Sequence, residues 1–277
     1  MTESRLPLIL EPDELERHLG EAGLLIVDLC KPEVYPQYHI PGAVPLEYGK
    51  LVAQQGLARG LLPDDDQLEE LFSAIGLTPE THVVAYDDEG GGKAGRLLWT
   101  LDAIGHQHLS LLNGGLQAWY NEGHPGSNEP AHPSRSDYRI SKEKRGIADA
   151  AHILARLNNP HTVIFDARSP NEYQGLTNTA LRNGHIPGAV NLDWTFAMDP
   201  DHNLRLKPEA ALREALESRG VTPDKEVIVH CQTHHRSAFT YVVLKALGYS
   251  DVKGYAGSWS DWGNRDDTPV ETGAKPA

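Results

Sequence analysis

The sequence predicts an α/β protein with parallel-sheet cores and helices on both faces of each sheet. Short apolar runs near 24–28, 82–86, 163–165 and 227–229 are largely β-branched, as buried parallel strands are. Helix-length segments separate these runs, and DDQLEELFSAIG and KPEAALREALESRG have helical spacing and end in glycine. Such alternation of strand and helix is typical of a parallel sheet.

The chain repeats itself in four blocks that keep the same order. HIPGAV occurs at 39–44 and again at 185–190, an offset of 146 residues. Three further pairs have offsets of 144, 143 and 143 residues: LTPETHVVAYD at 77–87 with VTPDKEVIVHC at 221–231, LWTLDAIG at 98–105 with YVVLKALG at 241–248, and LNGGLQAW at 112–119 with YAGSWSDW at 255–262. This period is far longer than that of a solenoid, so it indicates a duplicated domain.

We therefore predict two tandem domains, residues 5–124 and 145–267. The segment 125–144 between them is rich in Pro, Ser and charged residues, which is typical of an extended linker.

Composition and charge indicate where the protein is located and which partners it is expected to bind. The 277 residues contain no apolar run long enough to cross a membrane, and the N-terminus lacks the basic start of a signal peptide. Two cysteines suit a reducing compartment, and we expect a cytoplasmic protein. The net charge of −14 argues against nucleic acid and anionic membranes as partners. An anionic substrate would therefore need a local site of attraction.

One loop, CQTHHRS at 231–237, carries the candidate chemistry. It follows the apolar strand EVIVH, and ligands of α/β proteins bind at the carboxyl ends of strands. The loop leads into a helix, so its N–H groups can hold an anion and lower the pKa of the Cys231 thiol. Arg236 adds a permanent positive charge.

The matching loop of the first repeat has lost this chemistry. Asp87 stands where the second repeat has Cys231, and the chain continues DDEGGGKAG. A phosphate-binding loop would need glycine at Asp87 and Ser or Thr at Ala94, so nucleotide binding is not expected. The second domain is predicted to be catalytic and the first inactive.

Cys231 has three possible roles. It could be an inert core thiol, a metal ligand beside His230, His234 and His235, or a nucleophile. Neighbouring histidines on one tight loop rarely converge on one ion, and no second cysteine or HExxH motif accompanies them. The polar loop at a strand end, opposite Asp87 in the sister copy, favours the nucleophile, and we predict neither metal nor cofactor.

The two HIPGAV segments, the CQTHHRS loop and YAGSWSDW together resemble the rhodanese family of sulfurtransferases over nearly the whole chain. In particular they resemble the tandem-domain thiosulfate:cyanide sulfurtransferases of bacteria. The resemblance implies that Cys231 takes a sulfane sulfur from thiosulfate, becomes a persulfide, and passes the sulfur to cyanide or a thiol. Related dual-specificity phosphatases have five residues between Cys and Arg, whereas four separate Cys231 from Arg236 here. A shorter loop suits a persulfide better than a phosphoryl group.

Two basic positions of vertebrate relatives differ in this chain. Thr233 stands where their loop has Lys, and Glu172 stands where they have Arg. The preferred sulfur donor is therefore less defined than the family, and 3-mercaptopyruvate is an alternative donor. A carrier that delivers persulfide sulfur to a partner protein and a phosphatase are further alternatives.

The predicted site has a catalytic pair and a substrate-binding group. Cys231 and Arg236 are the catalytic residues, and the predicted substrate-binding residues are Gln232, Thr233, His234, His235 and Trp194. Residues that both copies keep are predicted to be structural, namely Asp28, Asp166, His39 and His185. Cys30 is predicted to be inert. The expected partners are a small anionic donor such as thiosulfate and a thiophilic acceptor, with the protein a monomer.

Overall fold

The computed structural model describes residues 6–140 and 144–273. The predicted start of the first domain at residue 5, and residues 141–143 of the predicted linker, lie outside the described residues.

The first repeat alternates strands with helices, as its sequence pattern predicts. Its strands are β1 (Ile9–Leu10), β2 (Leu24–Asp28), β3 (Val44–Pro45), β4 (Ala53–Gln55), β5 (Ala58–Leu61), β6 (His82–Tyr86) and β7 (Leu109–Leu112). Its helices are α1 (Pro12–Arg17), α2 (Asp65–Ala74), α3 (Gly92–Ala103) and α4 (Gly115–Asn121), with a 3-10 helix at Tyr48–Leu51. Helix α2 begins where Asp64 and Gln67 form a capping box, which satisfies N–H groups at the helix start.

The second repeat has the same order of strands and adds helix α6 and a second 3-10 helix. Its strands are β8 (Ile147–Ala148), β9 (Thr162–Asp166), β10 (Val190–Asn191), β11 (Met198–Asp199), β12 (Arg205–Leu206), β13 (Glu226–His230) and β14 (Val252–Tyr255). Its helices are α5 (Ala150–Leu154), α6 (Pro170–Tyr173), α7 (Glu209–Glu217), α8 (Arg236–Ala246) and α9 (Ser258–Trp262), with 3-10 helices at Trp194–Ala197 and Pro200–His202.

Each repeat builds a parallel sheet with helices around it, which confirms the predicted fold class. The strand orders are β1-β7-β6-β2-β3 and β10-β9-β13-β14-β8, and all neighbouring strands within these two sheets run parallel. The two orders are equivalent when the repeats are superposed by sequence. In the second sheet β13 is central, and His230 at its end lies opposite Asp166 at the end of β9. Cys231 therefore follows the middle strand at the carboxyl edge.

The chain forms two compact units, and two antiparallel hairpins belong to the unit of the opposite repeat. Unit 1 comprises Met1–Leu51, Pro63–Arg145 and Met198–Leu206, and unit 2 comprises Val52–Leu62, Gly146–Ala197 and Lys207–Ala277. Hairpin β4–β5 thus belongs to unit 2 although it lies in the first repeat, and hairpin β11–β12 belongs to unit 1 although it lies in the second. The limits of the functional domains stay a prediction.

Residues 125–140 of the predicted linker belong to unit 1 and pack within it without forming a helix. Tyr138 is buried, and its N–H donates to the Ser73 hydroxyl at 3.0 Å. The peptide of Ser127 pairs with that of His39 in both directions, each at 2.9 Å. Among the described residues, none of the helices is both long and apolar enough to cross a membrane.

Candidate active site

The Cys231 loop joins the end of β13 to the start of α8, and it folds tightly around the sulfur atom. Cys231 is fully buried, as is His234 three residues later. His234 has a φ of 53°, a left-handed conformation that non-glycine residues rarely adopt. Such strain is usually kept only where surrounding contacts impose it, and it is common at functional sites.

N–H groups of helix α9 bind carbonyl groups of the loop. The N–H of Trp259 donates to the Cys231 carbonyl at 2.9 Å, and the N–H of Ser260 donates to the Gln232 carbonyl at 3.0 Å. The Cys231 N–H donates to the Ser258 hydroxyl at 3.2 Å. Carbonyl and N–H point in opposite directions across a trans peptide, so these contacts direct the following N–H groups toward the inside of the loop. The GSWSDW segment therefore shapes the cradle around Cys231.

The cradle makes the Cys231 thiol acidic despite its burial. Burial alone would raise the pKa of Cys231, but the charge of Arg236, the hydroxyl and N–H of Ser237 and the N–H of Thr233 lower it to about 7. About half of the molecules then carry a thiolate at neutral pH. The thiolate is the nucleophilic form of cysteine. The loop therefore makes Cys231 reactive, whereas a cysteine buried among apolar side chains would be inert.

Arg236 is held by Glu172. Its Nη1 donates to Glu172 Oε2 at 2.7 Å and its Nη2 donates to Oε1 at 2.8 Å, the two-pronged geometry that suits guanidinium and carboxylate. Burial alone would lower the pKa of Arg236, but the bonds to Glu172 and the charge of Cys231 raise it. Arg236 therefore stays charged beside the thiolate.

The two loop histidines lie in different surroundings. His234 is buried, and its Nδ1 lies 2.7 Å from the Ser237 hydroxyl, which itself bonds Cys231. His235 is half-buried and tilts against Trp194 with ring centroids 5.9 Å apart. Trp194 in turn packs edge-on against Phe239 at 5.8 Å. Of the two histidines, only His235 is partly exposed to solvent, and Trp194 packs against its ring.

Of the other two predicted substrate-binding residues, Gln232 bonds a segment outside the loop and Thr233 bonds the sulfur. Gln232 donates from Nε2 to the Thr179 carbonyl at 2.9 Å. Thr233 supplies an N–H to Cys231. The structure thus places Arg236, Ser237 and the Thr233 N–H at the Cys231 sulfur. Gln232, His234 and His235 lie in the same loop, with Trp194 at the side of His235.

Sequence reasoning missed Glu172 as a partner of Arg236, and Ser237 as a donor to Cys231. Ser237 follows Arg236 directly, so its position at the first turn of α8 was an available signal. Glu172 was visible only as a departure from the family pattern, because its pairing depends on contact between residues 64 positions apart.

A buried ionic group supports the strand end beneath the loop. Arg168 donates to both oxygens of Asp166, and both side chains are fully buried. The guanidinium lies 4.5 Å from the centre of the Trp259 ring, a cation–π contact. His230 lies 3.8 Å from Asp166, and burial lowers its pKa to about 4 although Asp166 opposes the shift. His230 is therefore neutral at pH 7.

In the matching loop of the first repeat, the Asp87 side chain occupies the cradle of N–H groups. The Asp87 carboxylate accepts the N–H groups of Glu89 at 3.0 Å, Gly91 at 2.8 Å and Ala94 at 2.9 Å. The same amide cradle is thus present in both units, and in unit 1 a carboxylate occupies it. No group of three or more His, Cys, Asp or Glu residues in the described parts of the chain is arranged to hold a metal ion.

The Rhodanese-like domain family matches residues 11–122 and 149–265. The chain belongs to the rhodanese family. Two bacterial relatives of this rhodanese are named thiosulfate sulfurtransferase. The protein of Azotobacter vinelandii is 49% identical over 266 residues, which cover 96% of this chain and 97% of the relative. That of Pseudomonas aeruginosa is 48% identical over 268 residues, covering 97% and 98%.

Similarity extends to more distant proteins. The sulfur carrier protein TtuD of Thermus thermophilus is 31% identical over 96% of this chain and 97% of its own. Among solved structures, the anaerobic ergothioneine biosynthesis enzyme from Chlorobium limicola superposes with a TM-score of 0.85 at 20% identity, over 97% of this chain and 71% of that one. At that identity the likeness concerns the fold alone.

Proposed function

We propose that this rhodanese is a thiosulfate sulfurtransferase that works through a persulfide on Cys231. The observation that carries the proposal is the thiol of Cys231, buried in a cradle of N–H groups beside Arg236 with a pKa of about 7. The names of the relatives from Azotobacter vinelandii and Pseudomonas aeruginosa support thiosulfate as the donor.

The first half-reaction loads sulfur onto the protein. The Cys231 thiolate attacks the outer sulfur of thiosulfate and forms a new S–S bond. The S–S bond of thiosulfate breaks, and its electron pair leaves with sulfite. The negative charge then lies on the outer sulfur of the persulfide, where the N–H groups of the loop and Arg236 stabilise it as an oxyanion hole stabilises oxygen.

The second half-reaction unloads the sulfur. Cyanide or a thiolate attacks the outer persulfide sulfur, a bond forms to that sulfur, and the Cys231 thiolate leaves with the electron pair of the broken S–S bond. The products are thiocyanate or a new persulfide. Sulfite leaves before the acceptor reacts, and the protein alternates between a free and a sulfur-loaded form, which is ping-pong kinetics.

The mass of the intact protein tests the covalent step. Incubation with thiosulfate should add one sulfur atom to the wild-type chain and none to Cys231→Ser, while Cys30→Ser should gain sulfur as the wild type does. Sulfur gain by Cys231→Ser, or full conversion of cyanide to thiocyanate by that variant, would show that another group carries the sulfur.

A sulfur-carrier role is a second candidate because a relative with 31% identity over 96% of this chain is named a sulfur carrier protein. Transfer from the loaded protein to a protein acceptor would then be much faster than transfer to cyanide at equal concentration. The acceptor, the monomeric state and the cytoplasmic location remain predictions from the sequence.

A further inference from the structure

Hairpin β4–β5 lies directly against the catalytic loop within unit 2. The contact is made by backbone, because Gly60 on β5 has no side chain there. A Cβ atom at Gly60 would lie 2.1 Å from the Thr233 carbonyl oxygen and 2.7 Å from the carbonyl carbon. Gly60 also has a φ of +78°, a conformation that glycine adopts freely. Only glycine allows this approach.

Ser260 links the hairpin to the same stretch of the loop. Its hydroxyl accepts the N–H of Arg59 at 2.9 Å and lies 2.9 Å from the Arg59 carbonyl and 2.7 Å from the Gly257 carbonyl. Its own N–H holds the Gln232 carbonyl at 3.0 Å. One fully buried serine thus bonds hairpin, helix α9 and catalytic loop.

The peptide held in this way is the one that serves the sulfur. The Gln232 carbonyl and the Thr233 N–H belong to one trans peptide and point in opposite directions. Ser260 holds the carbonyl on one side, and the N–H on the other side donates to Cys231. Gly60 packs against the next peptide, through the Thr233 carbonyl. A shift of either contact turns the Thr233 N–H away from the sulfur.

We propose that hairpin β4–β5 is a positioning element of the active site, with Gly60 and Ser260 as positioning residues that orient the Thr233 peptide toward Cys231. The repeat without the nucleophile thereby supplies part of the catalytic cradle. The proposal deepens the sulfur chemistry proposed above and rests on it for its effect on turnover.

Unit 1 repeats the arrangement around its own loop. Hairpin β11–β12, from the second repeat, approaches Gly90, where a Cβ would lie 2.1 Å from the Met198 sulfur. Gly114 makes a similar approach, with its Cβ position 2.6 Å from the Asn203 carbonyl. A hairpin packed on the strand-end loop is therefore common to both units, whereas this loop carries Cys231 in unit 2 and Asp87 in unit 1.

The test compares two glycines of the same hairpin. Gly56 has a φ of +60° and no neighbour within 4 Å of its Cβ position, so Gly56→Ala adds the same kind of backbone strain without the contact. Gly60→Ala should raise the pH midpoint of Cys231 alkylation by about one unit, which slows alkylation about 5-fold at pH 7. Iodoacetamide labelling without any sulfur donor, followed by peptide mass mapping, separates Cys231 from Cys30.

A second pair of variants covers the possibility that Gly60→Ala does not fold. Ser260→Ala removes the hydroxyl that bonds the hairpin at Arg59 and keeps the backbone N–H that holds the Gln232 carbonyl. A shift of the alkylation midpoint in the same direction is therefore expected from release of the hairpin alone. Its matched control is Ser73→Ala, which removes a buried hydroxyl bonded to the Tyr138 N–H in unit 1. The control should leave the midpoint unchanged even where it lowers the melting temperature.

The outcomes separate this inference from the proposed function. A wild-type midpoint in folded Ser260→Ala, or equal shifts in Gly60→Ala and Gly56→Ala, would overturn the positioning role. If the midpoints shift as expected but the wild-type protein takes no sulfur from thiosulfate, the positioning role stands and the proposed donor is wrong. If both hold, sulfite release at saturating thiosulfate should fall in Ser260→Ala by the same factor as the thiolate fraction measured by alkylation at that pH.

Discussion

Glu172 binds Arg236 through both of its carboxylate oxygens, at 2.7 and 2.8 Å, on the charged side of the Cys231 cradle. Glu172 is also the N3 residue of α6, where it completes a capping box with Ser169. The carboxylate is therefore held from two directions. Burial alone would raise the pKa of Glu172, but the bonds and charge of Arg236 lower it, so the group is ionised at neutral pH. A negative charge thus stands beside the site of an anionic substrate.

Glu172→Gln should improve the use of thiosulfate. Glutamine keeps the shape of the side chain and can still cap the helix, but it removes one negative charge that repels the dianion. At short range in a partly buried site, this repulsion is worth about 1 kcal/mol, so KM for thiosulfate should fall about 5-fold. Steady-state sulfite release at low ionic strength measures the change.

Glu209→Gln is the matched control for Glu172→Gln, because Glu209 is an exposed acid paired with Arg213 on α7. It changes the net charge equally and should leave KM unaltered. A rise in KM for Glu172→Gln would mean that orientation of Arg236 matters more than repulsion.

The loading rate should follow the ionisation of Cys231. The thiol is inactive when protonated, so sulfite release should fall below a midpoint near pH 7 and reach a plateau above it. Arg236→Gln removes the charge that offsets burial and should raise the midpoint. At pH 7 the thiolate fraction, and with it the rate, should then drop about 10-fold, with partial recovery at pH 9. A midpoint unchanged by Arg236→Gln would assign the low pKa to the loop N–H groups alone.

The two loop histidines should have separable effects. His234→Ala removes the buried partner of the Ser237 hydroxyl, so it should lower kcat several-fold through weaker support of Cys231. His235→Ala leaves this chain of bonds intact and alters the side of the site next to Trp194, so it should change KM for the acceptor. Initial rates with varied cyanide at saturating thiosulfate resolve the two effects. The reverse pattern would place His235, and not His234, in support of the nucleophile.

Asp87 should stabilise unit 1 without serving catalysis. Its carboxylate accepts three N–H bonds, two of them in fully buried surroundings, and Asp87→Ala would leave those donors unpaired. We expect a loss of about 2–4 kcal/mol in the free energy of unfolding, measured by urea titration. Sulfur loading per folded molecule should not change.

Asp88→Ala serves as the comparison for Asp87→Ala. Asp88 is the next residue in the same loop, and it pairs with Lys93 in a partly exposed position. Its loss should cost less than about 1 kcal/mol. An equal cost for the two variants would contradict the anchoring role of Asp87.

The fold class could be predicted because its determinants are local. Apolar β-branched runs that alternate with helix-length segments predict parallel strands, and the repeated HIPGAV blocks indicate that the arrangement occurs twice. The place of Cys231 followed from the same pattern, since a polar loop after a central strand lies at the carboxyl edge of the sheet. The contrast with Asp87 pointed to the second repeat for the chemistry.

Hairpin β4–β5 illustrates what local pattern could not provide. Its sequence, from Ala53 to Leu61, predicts nothing about a loop some 170 positions later, and a domain limit drawn from the repeat places it with the other copy. Likewise, His234 and His235 are identical residues side by side, and only their packing distinguishes a buried partner of Ser237 from a half-buried neighbour of Trp194.

The duplicated parallel α/β architecture and the place of Cys231, the proposed nucleophile, could be predicted from the sequence, because both depend on periodicity and on order along the chain. Three relationships became visible only in the folded protein: Glu172 pairs with Arg236, Ser237 and the Thr233 N–H donate to the sulfur, and Gly60 packs against the loop. These relationships depend on distances of a few ångströms between residues far apart in sequence, and such distances arise only when the whole core is packed.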